Sequence, residues 1–297
     1  MSKIAFIFPG QGAQYVGMGK DFYDAYEEAR EVYRKAKEAT GLDIEALCFT
    51  ENDKLNITEY TQIAMLTTEV ALLKVLESKG VHADVCAGLS LGEYGALAAA
   101  GVMELESLFQ LIRLRGIYMQ EAYPVGGAMT AVLGLDAGVI ESTLKGIAGI
   151  VSIANYNCPG QLVISGNVEA VKAACEKLKA AGAKRALLLP VGGAFHSPLM
   201  QPAKDELQAA IEATTFNTPK CAVYQNVDAQ AHTDAEEIKA NLIAQLTASV
   251  RWTQEVQNMI AAGATDFTEC GPGKVLQGMI GKIAKGNDAV TAHGIQA

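Results

Sequence analysis

Ser90 stands between two glycines in the stretch CAGLSLGEYGAL (residues 86–97), directly after an apolar run and directly before a helical one. The spelling Gly88-x-Ser90-x-Gly92 is that of a nucleophile elbow, a sharp strand-to-helix turn that pushes a hydroxyl out of the backbone. Glycines flank such a turn because a Cβ would clash where strand and helix close on each other. With 29 glycines in the chain, the pentad is not specific by itself, and its place among the elements has to decide.

A serine hydroxyl is a weak nucleophile and needs an adjacent base. The four histidines are His82, His196, His232 and His293. His82 falls at the end of its strand opposite Ser90, His232 in a polar loop and His293 near the terminus. His196 ends the segment GGAFHSPL and is the candidate base by elimination, against the alternative of a satisfied structural histidine. No aspartate stands out as a third member, and a backbone carbonyl would orient the imidazole equally well. An oxyanion hole needs two N–H donors. The residue after the nucleophile, Leu91, offers one, and the Gly10-Gln11-Gly12 loop after the first strand is placed to offer the second. That loop is not a dinucleotide fingerprint, because GQGAQY does not fit G-x-G-x-x-G. Arg115 lies in the largely apolar helical stretch LIRLRGIYMQEA and has no acidic residue at i±3 or i±4, while Gly116 beside it permits close approach. A guanidinium in a cleft matches a carboxylate bidentately. Together these residues point to acyl chemistry on a substrate that carries a free carboxylate.

The elements that must position them alternate between the two periods. Ile4–Phe8 is continuously apolar and reads as a strand covered on both faces. Helical patterns follow over 18–39 and 59–79, then a strand over 84–89, a helix from 91 and another over 105–122. Strand, helix, strand, helix implies a parallel sheet, and the elbow falls at the carboxyl end of a parallel strand, where ligands bind in such sheets. After the glycine pair at 126–127 the order changes to strand 128–134, helix 139–146, strands 151–155 and 162–165, helix 168–181 and strand 185–189. That β-α-β-β-α-β order is the split βαβ or ferredoxin-like arrangement. The expected organisation is a large α/β domain from 1–125 and 195–297 with a small subdomain, 126–194, inserted into it. His196 lies where the chain returns, so the cleft between the two is the expected ligand site. Helices over 198–213, 235–247 and 252–262 and strands over 222–226 and 266–270 complete the large domain, with residues from about Gly286 loosely held.

Composition narrows the function classes. The formal charge is −9 with no Lys/Arg block, which argues against nucleic acid as a partner. The six cysteines form no CxxC pair and the histidines show no metal-ligand spacing, so free thiols in a reducing compartment are expected and a metal is not. The start MSKIAFIFPG is too short for a secretory signal and no apolar run reaches spanning length, so a soluble cytoplasmic protein is expected.

Seven blocks make this chain resemble the malonyl-CoA:acyl carrier protein transacylases and the related acyltransferase domains of fatty acid and polyketide synthesis. They are FPGQGAQYVGMG (8–19), GLSLGEYGAL (88–97), RGIYMQEA (115–122), NYNCPGQLVISG (155–166), GAFHSPLM (193–200), RWTQEV (251–256) and ECGPGKVLQGMI (269–280). The resemblance covers nearly the whole chain. It implies an α/β-hydrolase-like core with a ferredoxin-like insert, Ser90 as the acylated residue, and His196 as base and then acid. It implies that the backbone N–H groups of Gln11 and Leu91 form the oxyanion hole and that Arg115 holds the malonyl carboxylate. It also implies that the main-chain carbonyl of Arg251 orients His196, and that Phe195, Met119 and Asn157 contact substrate. Malonyl-CoA and acyl carrier protein would be the partners, with coenzyme A thioester a substrate and no separate cofactor; the oligomeric state is open, with a monomer as the default. Two positions depart from the pattern: Leu89 stands where many members have histidine, and Arg251 where many have glutamine. Gly193-Ala194-Phe195-His196 resembles the malonyl-selecting version, although excluding one methyl is worth only about 1–3 kcal/mol. Two other readings use the same residues. One is a serine hydrolase such as a thioesterase, if water reaches the acyl-serine. The other is a carrier-binding subunit without catalysis, for which Leu89 is the only sign.

Overall fold

The all-apolar run near the start is explained by its place in the centre of a sheet. In the computed structural model, which describes residues 2–295, β1 (Lys3–Phe8) is flanked on both sides by parallel neighbours. Its side chains alternate between two cores: Phe6 and Phe8 pack into the larger one, Ala5 and Ile7 into that on the opposite face. The remaining strands in chain order are β2 (Val85–Gly88), β3 (Gly127–Leu133), β4 (Val151–Cys158), β5 (Gln161–Asn167), β6 (Arg185–Leu188), β7 (Ala222–Tyr224), β8 (Ala231–His232), β9 (Ala264–Glu269) and β10 (Thr291–Gly294). The larger sheet has the order β10-β9-β1-β2-β7-β8, parallel except for the short antiparallel β8. The smaller sheet, β4-β5-β3-β6, is antiparallel throughout, and it shares a third core with the helices Ala137–Leu144 and Val168–Ala180.

Helix Thr58–Ser78 is buried along most of its length, between the sheet and the helices around it. Helix Leu105–Ala122 packs on it closely enough that a Cβ at Gly116 would stand 2.9 Å from the Glu59 Cα, so this glycine sets the approach that brings Arg115 inward. The two sheets are stitched together by the segment before helix Trp252–Ala261. There the Val250 N–H donates to the Ala154 carbonyl at 2.7 Å and the Tyr156 N–H donates to the Val250 carbonyl at 2.9 Å.

Four features differ from the sequence reading. The first helical pattern is broken at Tyr26, whose extended backbone separates helices Lys20–Ala25 and Glu27–Thr40. Helices Ile44–Phe49 and Val275–Ile283 were not expected; the second is seated by the Glu269 carboxylate on the N–H groups of Leu276 and Gln277. The end of the chain is not loosely held through its described part, since β10 adds to the sheet edge beside β9. Residues 1, 296 and 297 of the expected large domain lie outside the described residues. No helix among the described residues is long and apolar enough to cross a membrane.

The turn after β2 leaves no room for a side chain. A Cβ at Gly92 would stand 2.1 Å from the Phe8 carbonyl oxygen and 2.6 Å from that of Pro9. Gly92→Ala is therefore expected to destabilise the fold by about 3 kcal/mol, read as a lower urea midpoint. Gly138→Ala, in a helix with nothing within 4 Å of the added methyl, should leave the midpoint unchanged or raise it.

Candidate active site

β2 runs straight into the elbow, and only Leu89, Ser90 and Leu91 separate it from helix Gly92–Ala99. A Cβ at Gly88 would lie 1.9 Å from the Gly92 carbonyl oxygen, which is why the pentad needs both glycines. Ser90 sits at φ 57°, a left-handed conformation that costs a non-glycine residue roughly 1–3 kcal/mol. The strain is held by hydrogen bonds: the Ser90 N–H donates to Asn226 Oδ1 at 2.8 Å, and its carbonyl accepts from Gln245 Nε2 at 3.1 Å.

His196 also has a positive φ, 53°, in the segment that leads from β6 of the smaller sheet to helix Gln201–Ala213. Its Nε2 lies 2.6 Å from Ser90 Oγ, and its Nδ1 lies 3.0 Å from the Gln245 carbonyl and 3.2 Å from that of Ala248. Two carbonyls at Nδ1 require the proton there, which leaves the Nε2 lone pair facing the serine hydroxyl. Burial first, and then the charge of Arg115, push the His196 pKa down to about 4, so the imidazole is neutral and able to accept a proton at ordinary pH. The role assigned to the carbonyl of Arg251 has to be moved. That carbonyl accepts the Glu255 N–H at 2.9 Å inside a helix, the side chain is exposed, and its Nε donates to the Val227 carbonyl. The orienting carbonyls belong to the preceding turn, which the pairing of Val250 with β4 fixes in place.

Arg115 is fully buried. Its guanidinium donates to Gln62 Oε1 at 2.7 Å, Gln245 Oε1 at 2.9 Å and Ser90 Oγ at 3.1 Å, and lies 5.4 Å from the Tyr94 ring centre. Among the described residues no carboxylate reaches it at ion-pair distance, and its Nε has no partner. Desolvation lowers its pKa from the usual arginine value. The neighbouring Arg113, by contrast, pairs with Glu59 at 3.0 Å and stays at the surface side of its helix.

Every other candidate converges on one cavity of about 250 Å³: Gln11, Leu91, Met119, Asn157 and Phe195 line it with Ser90, Arg115 and His196. The Gln11 and Leu91 N–H groups donate to no backbone acceptor among the described residues, as an oxyanion hole requires. Met119 Sδ accepts from Gln62 Nε2 at 3.4 Å, which orients the amide that holds Arg115. Asn157 Oδ1 is buried without a partner, and the Phe195 ring lies over Gly193, where a Cβ would come within 2.3 Å. Leu89 also lines the cavity, against Gly10. Sequence reasoning missed Gln62, Gln245 and Asn226. Neutral amides carry no charge pattern, and only their position reveals them.

A family model described as acyl transferase domain matches residues 5–293. The chain is 42% identical over 288 residues to the malonyl CoA-acyl carrier protein transacylase of Bacillus subtilis, covering 95% of this chain and 91% of that one. It is 43% identical over 302 aligned positions to the protein of the same name from Escherichia coli, covering 99% and 96%. Among solved structures, an acyl carrier protein S-malonyltransferase from Vibrio cholerae superposes with a TM-score of 0.95 at 42% identity, covering 99% of this chain and 97% of that one. A malonyl-transacylase solved in complex with a type II PKS acyl-carrier protein superposes with a TM-score of 0.95 at 40% identity, covering 99% and 96%.

The depressed His196 pKa makes a prediction about pH. The base is active when neutral, and its folded pKa lies below the ordinary histidine value of 6.5. The rate at which a fluorophosphonate labels Ser90 should therefore hold constant as pH falls through 6.5 and decline with a midpoint near 4. A midpoint at the ordinary histidine value would show that burial does not set this pKa.

Proposed function

The chain belongs to the acyl transferase domain family, and we propose that within it this enzyme moves a malonyl group from malonyl-CoA to the phosphopantetheine thiol of acyl carrier protein, by way of malonyl-Ser90. The observation that carries the reading is a buried guanidinium without a carboxylate partner, 3.1 Å from the nucleophilic oxygen. A buried cation held only by neutral amides lacks its counter-charge, and a substrate carboxylate supplies one. The closeness of Arg115 to Ser90 Oγ suits a short diacid, in which one methylene separates carboxylate from thioester.

In the first half-reaction His196 Nε2 takes the hydroxyl proton as Ser90 Oγ bonds to the thioester carbon. The carbonyl oxygen becomes an oxyanion between the Gln11 and Leu91 N–H groups, each donor worth roughly 3–4 kcal/mol. The C–S bond then breaks, His196 returns the proton to the coenzyme A sulfur, and malonyl-Ser90 remains. In the second half-reaction the carrier thiol gives its proton to His196 and attacks the ester carbonyl, and Ser90 leaves with that proton. Both steps are acyl transfers without change of oxidation state, so coenzyme A enters as substrate and the scheme assigns no cofactor. One chain contributes every group, so a monomer suffices. The names of the relatives, and the complex of one such enzyme with its carrier, support the choice of donor and acceptor. We read the larger sheet as an α/β-hydrolase-like core and the insert as ferredoxin-like, the latter supported by the strand order β4-β5-β3-β6.

Intact-mass spectrometry tests the scheme. Mixing with malonyl-CoA should add one malonyl increment to the wild type and none to Ser90→Ala, and acyl carrier protein should discharge it. Release of malonate without carrier would identify a hydrolase instead. Arg115→Ala should lower malonyl loading by about 10- to 100-fold, from loss of a charge-assisted contact worth about 1.5–3 kcal/mol, while acetyl loading is spared. An unchanged malonyl-to-acetyl ratio would reject the carboxylate site.

A further inference from the structure

β2 and β7 run parallel with Val85 opposite Ala222, Cys86 opposite Val223 and Ala87 opposite Tyr224. Continued by two residues, this register sets Asn226 beside Leu89. In a parallel ladder that residue's peptide would accept from the N–H of Ser90 and donate to the carbonyl of Gly88. The backbone of Asn226 does neither: its N–H donates to Glu93 Oε2 at 2.9 Å and its carbonyl accepts from the Arg251 N–H at 3.0 Å. Its side chain makes the rung instead. Asn226 Nδ2 donates to the Gly88 carbonyl at 2.7 Å, and Asn226 Oδ1 accepts from the Ser90 N–H at 2.8 Å.

The amide's remaining capacity is also used. Nδ2 donates to Glu255 Oε1 at 2.9 Å and Oδ1 accepts from Gln245 Nε2 at 3.2 Å, in a residue with no exposed surface. A primary amide reproduces the donor and acceptor of a peptide on a flexible stem. It therefore extends the sheet by one rung past the point where Ser90 must turn to positive φ and a continuing strand would block the nucleophile.

We propose that Asn226 is a positioning residue for acyl transfer, its side-chain amide acting as the last rung of the sheet and fixing Ser90 Oγ and the Leu91 N–H through both half-reactions. This rests on Ser90 being the acylated residue. As Oγ passes from hydroxyl to ester and back, its own hydrogen bonds to His196 and Arg115 are lost and remade. The backbone bonds to Asn226 persist, as does that from Gln245 Nε2 to the Ser90 carbonyl.

The test is the rate constant and amplitude of malonyl-Ser90 formation in rapidly quenched samples. Asn226→Ala should load to full amplitude with KM for malonyl-CoA unchanged and a rate constant lowered about 10²-fold, the scale of a small misplacement of reacting groups. Asn226→Asp is isosteric and faces Glu93, Glu255 and, farther off, Asp228, with Arg115 and His196 across Gln245 and Ser90. Ionised, it turns an acceptor toward the Gly88 carbonyl; protonated, it regains the O–H donor. Its rate constant should be as low as that of Asn226→Ala at about pH 9 and climb toward wild type on acidification to about pH 6, where His196 is still neutral. A rate constant near that of wild type in Asn226→Ala, with only the amplitude reduced, would assign Asn226 to folding alone and overturn the proposal. A slow, pH-independent Asn226→Asp would overturn the rung. Labelling of Ser90 by a fluorophosphonate follows the same rate ratios without malonyl-CoA. Failure of the wild type to load, with the labelling ratios intact, would thus strike the proposed substrate and not the role of Asn226.

Discussion

The arrangement depends on one buried charge. The Arg115 guanidinium is taken out of water and given amide oxygens and a hydroxyl, with no carboxylate in contact. Isolated cations are costly to bury, and the usual remedy is an ion pair. Here an acid that feels the charge, Glu93, is separated from it by Gln245 and Asn226, and burial raises its own pKa. The consequence is a field of one sign at the nucleophile. It adds to burial in holding His196 neutral and favours negative charge beside Ser90 Oγ. Burial of His196 works in the same direction, since a neutral imidazole is the form that takes a proton.

Holding that charge in register with the base requires both sheets. His196 comes from the segment that leaves β6 of the smaller sheet, while its orienting carbonyls, Gln245 and Ala248, come from the segment that bridges to β4. Ser249 Oγ donates to the Ile153 carbonyl at 2.6 Å and Thr253 Oγ1 to that of Tyr156 at 2.9 Å, so the same segment is tied to the small sheet on both sides of Val250. Ser90 and His196 come from segments more than a hundred residues apart, and this seam helps to set their distance. The cavity lies along it, with walls from β3, β4 and β5 and from the turns that follow β1 and β2.

The parts legible in the sequence were those whose physics is local. Elbow glycines, the apolar β1, the β-α-β-β-α-β order and Arg115 without a helical counter-ion each follow from spacing within a few residues. The helix break at Tyr26 was not legible because the amphipathic period continues across it. β10 was hidden because an edge strand of mixed polarity, Thr291–Gly294, shows no alternation that a loop would lack. Arg251 was a near miss of a different kind. The resemblance pointed to a residue three to six positions past the carbonyls of Ala248 and Gln245, and which carbonyl points at an imidazole depends on dihedral angles, not residue types. Gln62, Gln245 and Asn226 were invisible for the same reason that makes them useful, their neutrality.

That neutrality is a constraint on the site. A carboxylate at residue 62 or 245 would satisfy Arg115 better than an amide does, since a charge-assisted bidentate pair is the stronger bond. It would also cancel the positive field at Ser90 Oγ and leave an acid to be desolvated beside it. Amides fill the donor sites of Arg115 at modest energy and surrender them without leaving a charge behind. Each also has an N–H₂ end to spend: Gln62 on Met119, Gln245 on the Ser90 carbonyl and on Asn226. The same choice of residue type that keeps the cation available thus ties the cavity wall, the cation and the elbow into one hydrogen-bonded unit.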